Sequence, residues 1–192
     1  MAWSLPSMPD PSTTSASRVE RVQAEPVAGP RAPVRLDFAF MRGRLSRWVA
    51  LGFGAGLSPT APGTVGTLWA WAAFLLLDPW LSTAAWWGLL VTGFALGCVA
   101  CERTGRDLGV PDHSGMVWDE VIAFWLVLVM VPAGLASQFA AFVVFRFFDV
   151  VKPPPIRFID RTVKGGFGVM LDDLIAAFFT LLACSLWMAW RS

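Results

Sequence analysis

The chain is expected to fold as an all-α, compact multi-pass membrane bundle of about five apolar helices, preceded by a disordered N-terminal tail. Three observations lead there. The 192 residues are 56% hydrophobic and only 15% charged, with a mean hydropathy of +0.58; a soluble domain carries about 25% charged residues. The apolar residues gather into long runs separated by Pro, Gly or charge. The charged residues cluster at the ends of those runs, where ionisable groups beside a bilayer core are costly and pair with each other, a metal or a substrate.

Residues 1–40 are rich in Pro, Ser, Ala and Arg without periodicity, which is the composition of a disordered tail. The tail has no basic start leading into an apolar stretch, so no secretory signal is expected. The membrane domain would then be residues 41–192. Arg42, Arg44 and Arg47 precede Trp48 to Leu57, and a Pro/Gly loop follows from Leu57 to Thr64. The first apolar run is Val65 to Leu77, stopped by Asp78-Pro79. The second, Ala84 to Cys101, is free of charge and about long enough to span with local thinning. A polar loop is expected from Glu102 to Gly115. The third run, Val121 to Ala136, starts directly after Asp119-Glu120. The fourth, Phe139 to Val151, contains Arg146 and Asp149 and is stopped by Pro153-Pro154-Pro155. A second polar loop leads to Asp172-Asp173, and the last run is Leu174 to Trp190. Eleven Trp and no Tyr fit aromatic anchoring at the membrane interface.

The positive-inside rule sets the threading. With Arg42, Arg44 and Arg47 in the cytoplasm, Glu102–Glu120, Arg146–Lys152 and the loop up to Asp173 all fall on the cytoplasmic side. The outer turns, near Asp78 and between Pro132 and Ser137, are short. The charged motifs thus converge on one cytoplasm-facing site.

Asp119 and Glu120 are expected in the first turn of the third helix, and Asp172 and Asp173 in the first turn of the fifth. Helix capping explains one such carboxylate at about 0.3–1 kcal/mol. Two adjacent pairs exceed what capping needs, because neighbouring carboxylates repel unless a cation lies between them. An all-oxygen ligand set suits Mg²⁺. Arg146, Asp149 and Lys152 recur at three-residue spacing and share one helical face. They form either an intrahelical ion-pair ladder or a metal ligand flanked by two phosphate-binding cations. The Gly63-Thr64 loop is either a plain turn or a phosphate cradle at a helix start. His113, the one His of the chain, is either a surface residue or a substrate contact. Arg157 and Asp160 have the same two readings, while Asp78, Glu102 and Asp107 read as ordinary boundary charges.

Several chemistries are excluded. Cys98-x-x-Cys101 lies within an uncharged apolar run, which favours packing thiols over a redox pair. One His argues against a zinc site and against paired-histidine phosphatases. No Cys has an Arg at six-residue offset, and no Asp-x-Asp-x-Thr occurs. The dispersed Arg residues form no nucleic-acid stripe.

Four motifs make the reading specific. Leu57-Ser58-Pro59-x-Ala61-Pro62-Gly63-Thr64-x-Gly66-Thr67, Val117-Trp118-Asp119-Glu120, Phe145-Arg146-x-x-Asp149-x-x-Lys152-Pro153-x-Pro155-Ile156 and Gly165-Gly166-x-Gly168-x-Met170-x-Asp172-Asp173 resemble the phosphatidylglycerophosphatase A family in order and spacing, over about residues 44–190. The chain departs from the family at Ala123 and at Ala176-Ala177, both small-for-small changes. The resemblance implies an Mg²⁺-dependent enzyme of the bacterial inner membrane that dephosphorylates phosphatidylglycerophosphate. It implies Asp119, Glu120, Asp149, Asp172 and Asp173 as the acidic, metal-holding site. Arg146 and Lys152 would join them in catalysis, and Ser58, Thr64, His113 and Arg157 are the candidate substrate contacts. A small ion-coupled transporter and a phosphatase of other lipids such as phosphatidate are the alternatives.

Overall fold

The computed structural model describes residues 36–191, and no strand occurs among them. The expected tail falls mostly on residues 1–35, outside the described residues. Asp37 caps α1 (Phe38–Arg42) by accepting a bond from Phe40 N at 2.7 Å. Helix α2 (Leu45–Ala50) follows, and then a 3₁₀ segment (Gly52–Leu57). The long helices are α3 (Pro62–Leu77), α4 (Thr83–Leu108), α5 (Trp118–Met130), α6 (Leu135–Val151) and α8 (Gly165–Arg191). The short α7 (Ile156–Thr162) joins the last two.

The shortest of the long helices is the hub. Nine of the 13 residues of α5 are buried, Val121 to Trp125 consecutively. A helix apolar on all sides must be surrounded, and α3, α4, α6 and α8 all pack on α5. Close approach depends on glycines in α4. A side chain at Gly93 would strike Ile122, and one at Gly97 would strike Met170 and Trp118.

Tryptophan does more inside than the interface reading expected. Trp86, Trp118 and Trp125 are buried, and the first two each pack edge-to-face against Trp125. Their indole N–H groups donate across the fold: Trp86 to Asp78 (3.0 Å), Trp118 to Gly93 O (3.0 Å) and Trp125 to Ala70 O (2.8 Å). A buried indole needs such a partner. Asp78 is therefore a fixed acceptor and more than a boundary charge. Trp80 and Trp190 are exposed, as anchors would be.

Three boundaries differ from expectation, each for a local reason. Helix α4 continues through the expected polar loop to Leu108. Glu102 pairs with Arg106 at i,i+4, Arg44 and Arg47 bridge to Asp107, and Gly109 ends the helix at φ 71°. Helix α3 begins at Pro62, where Pro suits the first position. Helix α8 begins at Gly165, so Asp172 and Asp173 lie about two turns inside it. They are not first-turn residues.

Among the described residues, two helices are long and apolar enough to cross a membrane, Thr83–Leu108 and Gly165–Trp190; Pro62–Leu77 is a shorter apolar helix. The expected count of five apolar helices is not confirmed: among the described residues two helices qualify as spans and one more as a shorter apolar helix. The outward faces stay apolar: Leu76, Val91, Leu96, Phe147, Phe178 and Leu186 are each more than half exposed. Apolar surface on that scale marks a membrane-contacting protein.

Candidate active site

Four helices bring the charged motifs to one cavity of about 390 Å³. Helix α3 contributes its first residues, Pro62, Gly63 and Thr64. The α4–α5 loop gives Asp112 and Ser114, and α5 gives Asp119 and Glu120. The end of α6 gives Arg146, Asp149 and Lys152, and α8 gives Asp172 and Asp173.

The start of α3 can lie against α5 because it carries glycine. A Cβ at Gly63 would collide with Glu120 Oε1, and one at Gly66 would lie 2.7 Å from Val117 Cβ. The Gly63-Thr64 loop is therefore, first, a device for close packing beside Glu120. Val65 N makes the first backbone bond of α3, to Ala61 O at 3.1 Å. The amides of Gly63 and Thr64 precede that bond and have no intrahelical acceptor.

Arg146 is held on three sides. Its Nη1 donates to Thr67 Oγ1 (3.3 Å), to Glu120 Oε1 (3.2 Å) and to Asp149 Oδ2. Lys152 caps α6 in the left-handed conformation, at φ 44° and ψ 61°. From there its ammonium reaches Asp172 Oδ2, and Asp160 Oδ1 at 3.5 Å. Burial opposes the charge of Lys152. Asp172 outweighs it, with Asp173 and Asp160 adding to the effect, and the ammonium is held well above the ordinary lysine range. The helical face shared by Arg146, Asp149 and Lys152 is thus only partly an ion-pair ladder. Lys152 bridges to α7 and α8 instead of to its own helix.

The acidic groups test whether a cation fits. Glu120, Asp149 and Asp173 each offer an oxygen, and the three oxygens lie within 4.8 Å of one another. Asp119 Oδ1, Glu120 Oε2, Asp172 Oδ1 and Asp173 Oδ2 are buried with no hydrogen-bond partner. Buried acceptors are normally satisfied, and carboxylates without donors are satisfied by a metal. The all-oxygen donors suit a hard divalent cation. The residues present fit one.

The structure places the expected site residues unevenly. Asp119, Glu120, Arg146, Asp149, Lys152, Asp172, Asp173 and Thr64 line the cavity; Ser58, His113 and Arg157 do not. Ser58 Oγ donates to Thr60 O at 2.9 Å within its own turn. His113 Nδ1 accepts from Gly115 N at 3.0 Å and shapes the loop before α5. Arg157 is exposed on α7. Sequence reasoning missed Asp112 and Ser114. Their one signal was position, in the polar loop just ahead of Asp119-Glu120. Glu120, Asp149 and Asp172 each have one oxygen engaged by a cation, the first two by Arg146 and the third by Lys152. Cys98, Cys101 and Cys184 are free thiols, and none lines the cavity.

The family model for Phosphatidylglycerophosphatase A matches residues 48–188. The chain belongs to the phosphatidylglycerophosphatase A family. It is 41% identical over 145 residues to a Haemophilus influenzae protein named Phosphatidylglycerophosphatase A, covering 73% of this chain and 88% of that one. It is 41% identical over 150 residues to the Escherichia coli K12 protein of the same name, covering 75% and 86%. A Bacteroides thetaiotaomicron protein provisionally named as a phosphatidylinositol-3-phosphatase is 37% identical over 150 residues, covering 73% and 92%. No solved structure matches the chain. All four sequence motifs lie within the matched region, and so does every residue of the cavity. As a member of this phosphatase family with two apolar helices, the chain is a membrane-associated phosphatase.

Proposed function

We propose that this chain hydrolyses the terminal phosphate monoester of phosphatidylglycerophosphate, releasing phosphatidylglycerol and inorganic phosphate. The observation that carries the reading is the cluster of Glu120, Asp149 and Asp173 beside Arg146 and Lys152, in a cavity of about 390 Å³. The family's named relatives supply the substrate. The chain would work as a multi-pass protein of the bacterial inner membrane with the cavity facing the cytoplasm. The arginines at its start and the charged helix ends support that orientation.

Glu120, Asp149 and Asp173 would hold Mg²⁺, with Asp119 and Asp172 adding acceptor oxygens. Mg²⁺ at this position supplies Lewis-acid charge that polarises the phosphoryl group. Arg146 and Lys152, aimed into the cavity by their carboxylate partners, stabilise the equatorial oxygens as charge builds on them. The amides of Gly63 and Thr64 offer further donors at the α3 N-terminus. A water oxygen attacks phosphorus, the P–O bond to the glycerol carbon chain breaks, and the leaving alkoxide takes up the proton that a cluster carboxylate has removed from water. Ser114 and Asp112, which also line the cavity, would meet the hydroxyl of the head-group glycerol.

The test is phosphate release by the purified chain in mixed micelles. Phosphatidylglycerophosphate, phosphatidate, phosphatidylinositol 3-phosphate and soluble glycerol phosphate are compared, with and without Mg²⁺. The reading expects the highest kcat/KM on the first, because binding energy from remote groups appears in turnover. Equal rates on phosphatidate would remove the specific substrate, and a preference for the inositol lipid would move it to the Bacteroides relative's named class.

A further inference from the structure

Helix α7 joins the two site-bearing helices, and its two faces differ in chemistry. The inner face seats Ile156, fully buried, and brings Asp160 to Lys152. The outer face carries Arg157 and Arg161 one turn apart, with Phe158 and Thr162 beside them. All four are exposed, Phe158 at 68%. Arg157 and Arg161 form no ion pair or hydrogen bond among the described residues, and Lys164 Nζ bonds only to the backbone oxygen of Asp160. Phe167, just beyond, is 52% exposed.

The position of this face limits what it can meet. Helix α6 ends at Val151, and α8, a candidate span, starts at Gly165. Residues 152–164 are the whole link, so α7 stays at the boundary of the apolar layer, where its Asp160 meets Lys152 of the cavity. Cations flanking an exposed aromatic ring at that level match an anionic lipid surface. The cavity sets six carboxylates against two cations, so until a metal ion is bound there an anionic lipid is repelled by that field.

We propose that the outer face of α7 is an interfacial foot that binds anionic phospholipid head groups and delivers anionic substrate to the adjacent cavity. This rests on the reading of the chain as a membrane lipid phosphatase. It gives Arg157 a role outside the cavity, where sequence reasoning had placed it as a direct contact.

The experiment replaces Phe158 with the photo-crosslinking residue p-benzoylphenylalanine in the full chain. The protein is placed in nanodiscs of phosphatidylcholine, alone or mixed with phosphatidylserine. The foot should crosslink preferentially to phosphatidylserine, and Arg157→Gln with Arg161→Gln should abolish the preference. In turnover assays, Arg161→Gln alone should raise the interfacial KM by up to about 5-fold at low salt, the effect of one surface cation. Its kcat should hold, and the difference should vanish at high salt. Equal crosslinking to both lipids overturns the proposal, as does crosslinking to a co-purified protein in place of lipid. A kcat loss without a KM change also overturns it. Selective crosslinking by a protein that releases no phosphate would uphold the foot and reject the phosphatase reading.

Discussion

Gly63→Ala separates catalysis from stability at a single methyl group. The new Cβ would press on Glu120 Oε1, with Glu120 Cδ at 2.9 Å and Arg146 Nη1 at 3.2 Å. The carboxylate must retreat by about 1.5 Å to reach ordinary contact. It is the far end of a flexible side chain, so the overpacking cost falls near the low end of about 1–3 kcal/mol. Alanine returns up to about 1 kcal/mol of helix propensity. Net stability should therefore change by no more than about 1 kcal/mol. Turnover should fall by about 100-fold, the usual result of a 1 Å misplacement in a catalytic array. Gly66→Ala is the contrast. Its Cβ meets Val117 Cβ at 2.7 Å and Cγ2 at 3.0 Å, a β-branched side chain just before α5 with little room to yield, and approaches Glu120 Oε2 only to 3.1 Å. That variant should lose about 1–3 kcal/mol of stability. Gly88→Ala, with nothing within 4 Å of the new atom, should be active and at least as stable as the parent. Thermal unfolding in detergent and kcat with its Mg²⁺ midpoint read all three. Wild-type kcat and Mg²⁺ midpoint in Gly63→Ala would refute the placement of Glu120 in the site.

Three further outcomes are expected. Asp173→Asn and Asp119→Asn should abolish turnover while the protein stays in the membrane, and chelator should do the same to the parent, reversibly on adding Mg²⁺; full activity in excess chelator would end the metal mechanism. Lys152→Gly should relieve about 1 kcal/mol of left-handed backbone strain yet lose most of kcat, whereas a purely structural Lys152 would leave kcat unchanged in the glycine variant. Single Cys probes at His113 and Lys164, in a background without the native Cys, should react with an impermeant reagent only after permeabilisation, and a probe near Asp78, at the exposed Trp80, should react in intact cells; opposite labelling of the first two would divide the site across the membrane.

The all-α architecture was legible because periodic apolar runs and Pro/Gly breaks are local signals. The acidic site was legible because unpaired carboxylates next to apolar runs are anomalous wherever they fold. Helix ends were less so. Helix α4 passes through Glu102 to Leu108 because Arg44 and Arg47, some sixty residues earlier in the chain, neutralise Asp107. No local pattern announces that pairing. Asp172 and Asp173 looked like a helix start, since Gly165 and Gly166 read as a loop until their packing partner is known. His113 attracted attention by residue type, yet its nitrogen only closes a turn. Asp112 and Ser114, which line the cavity, carry no motif. The tryptophans misled in the same way, because composition counts them without saying which ones point inward.

The first turn of α8 is clamped to α4. Gly166 N donates to Glu102 Oε2 at 2.7 Å, and a side chain at Gly166 would strike Cys98 O. That clamp sets the angular phase of everything downstream in the helix. The chain, in effect, aims its acid pair by counting residues from a glycine. One residue inserted between Gly168 and Asp172 would swing both carboxylates by about 100°, away from Lys152. An insertion of seven would return them to within about 20° of their bearing but about 10 Å too deep. Substitutions along that stretch can be absorbed by side-chain size, whereas changes of length cannot, so its spacing is as much a part of the site as its acids.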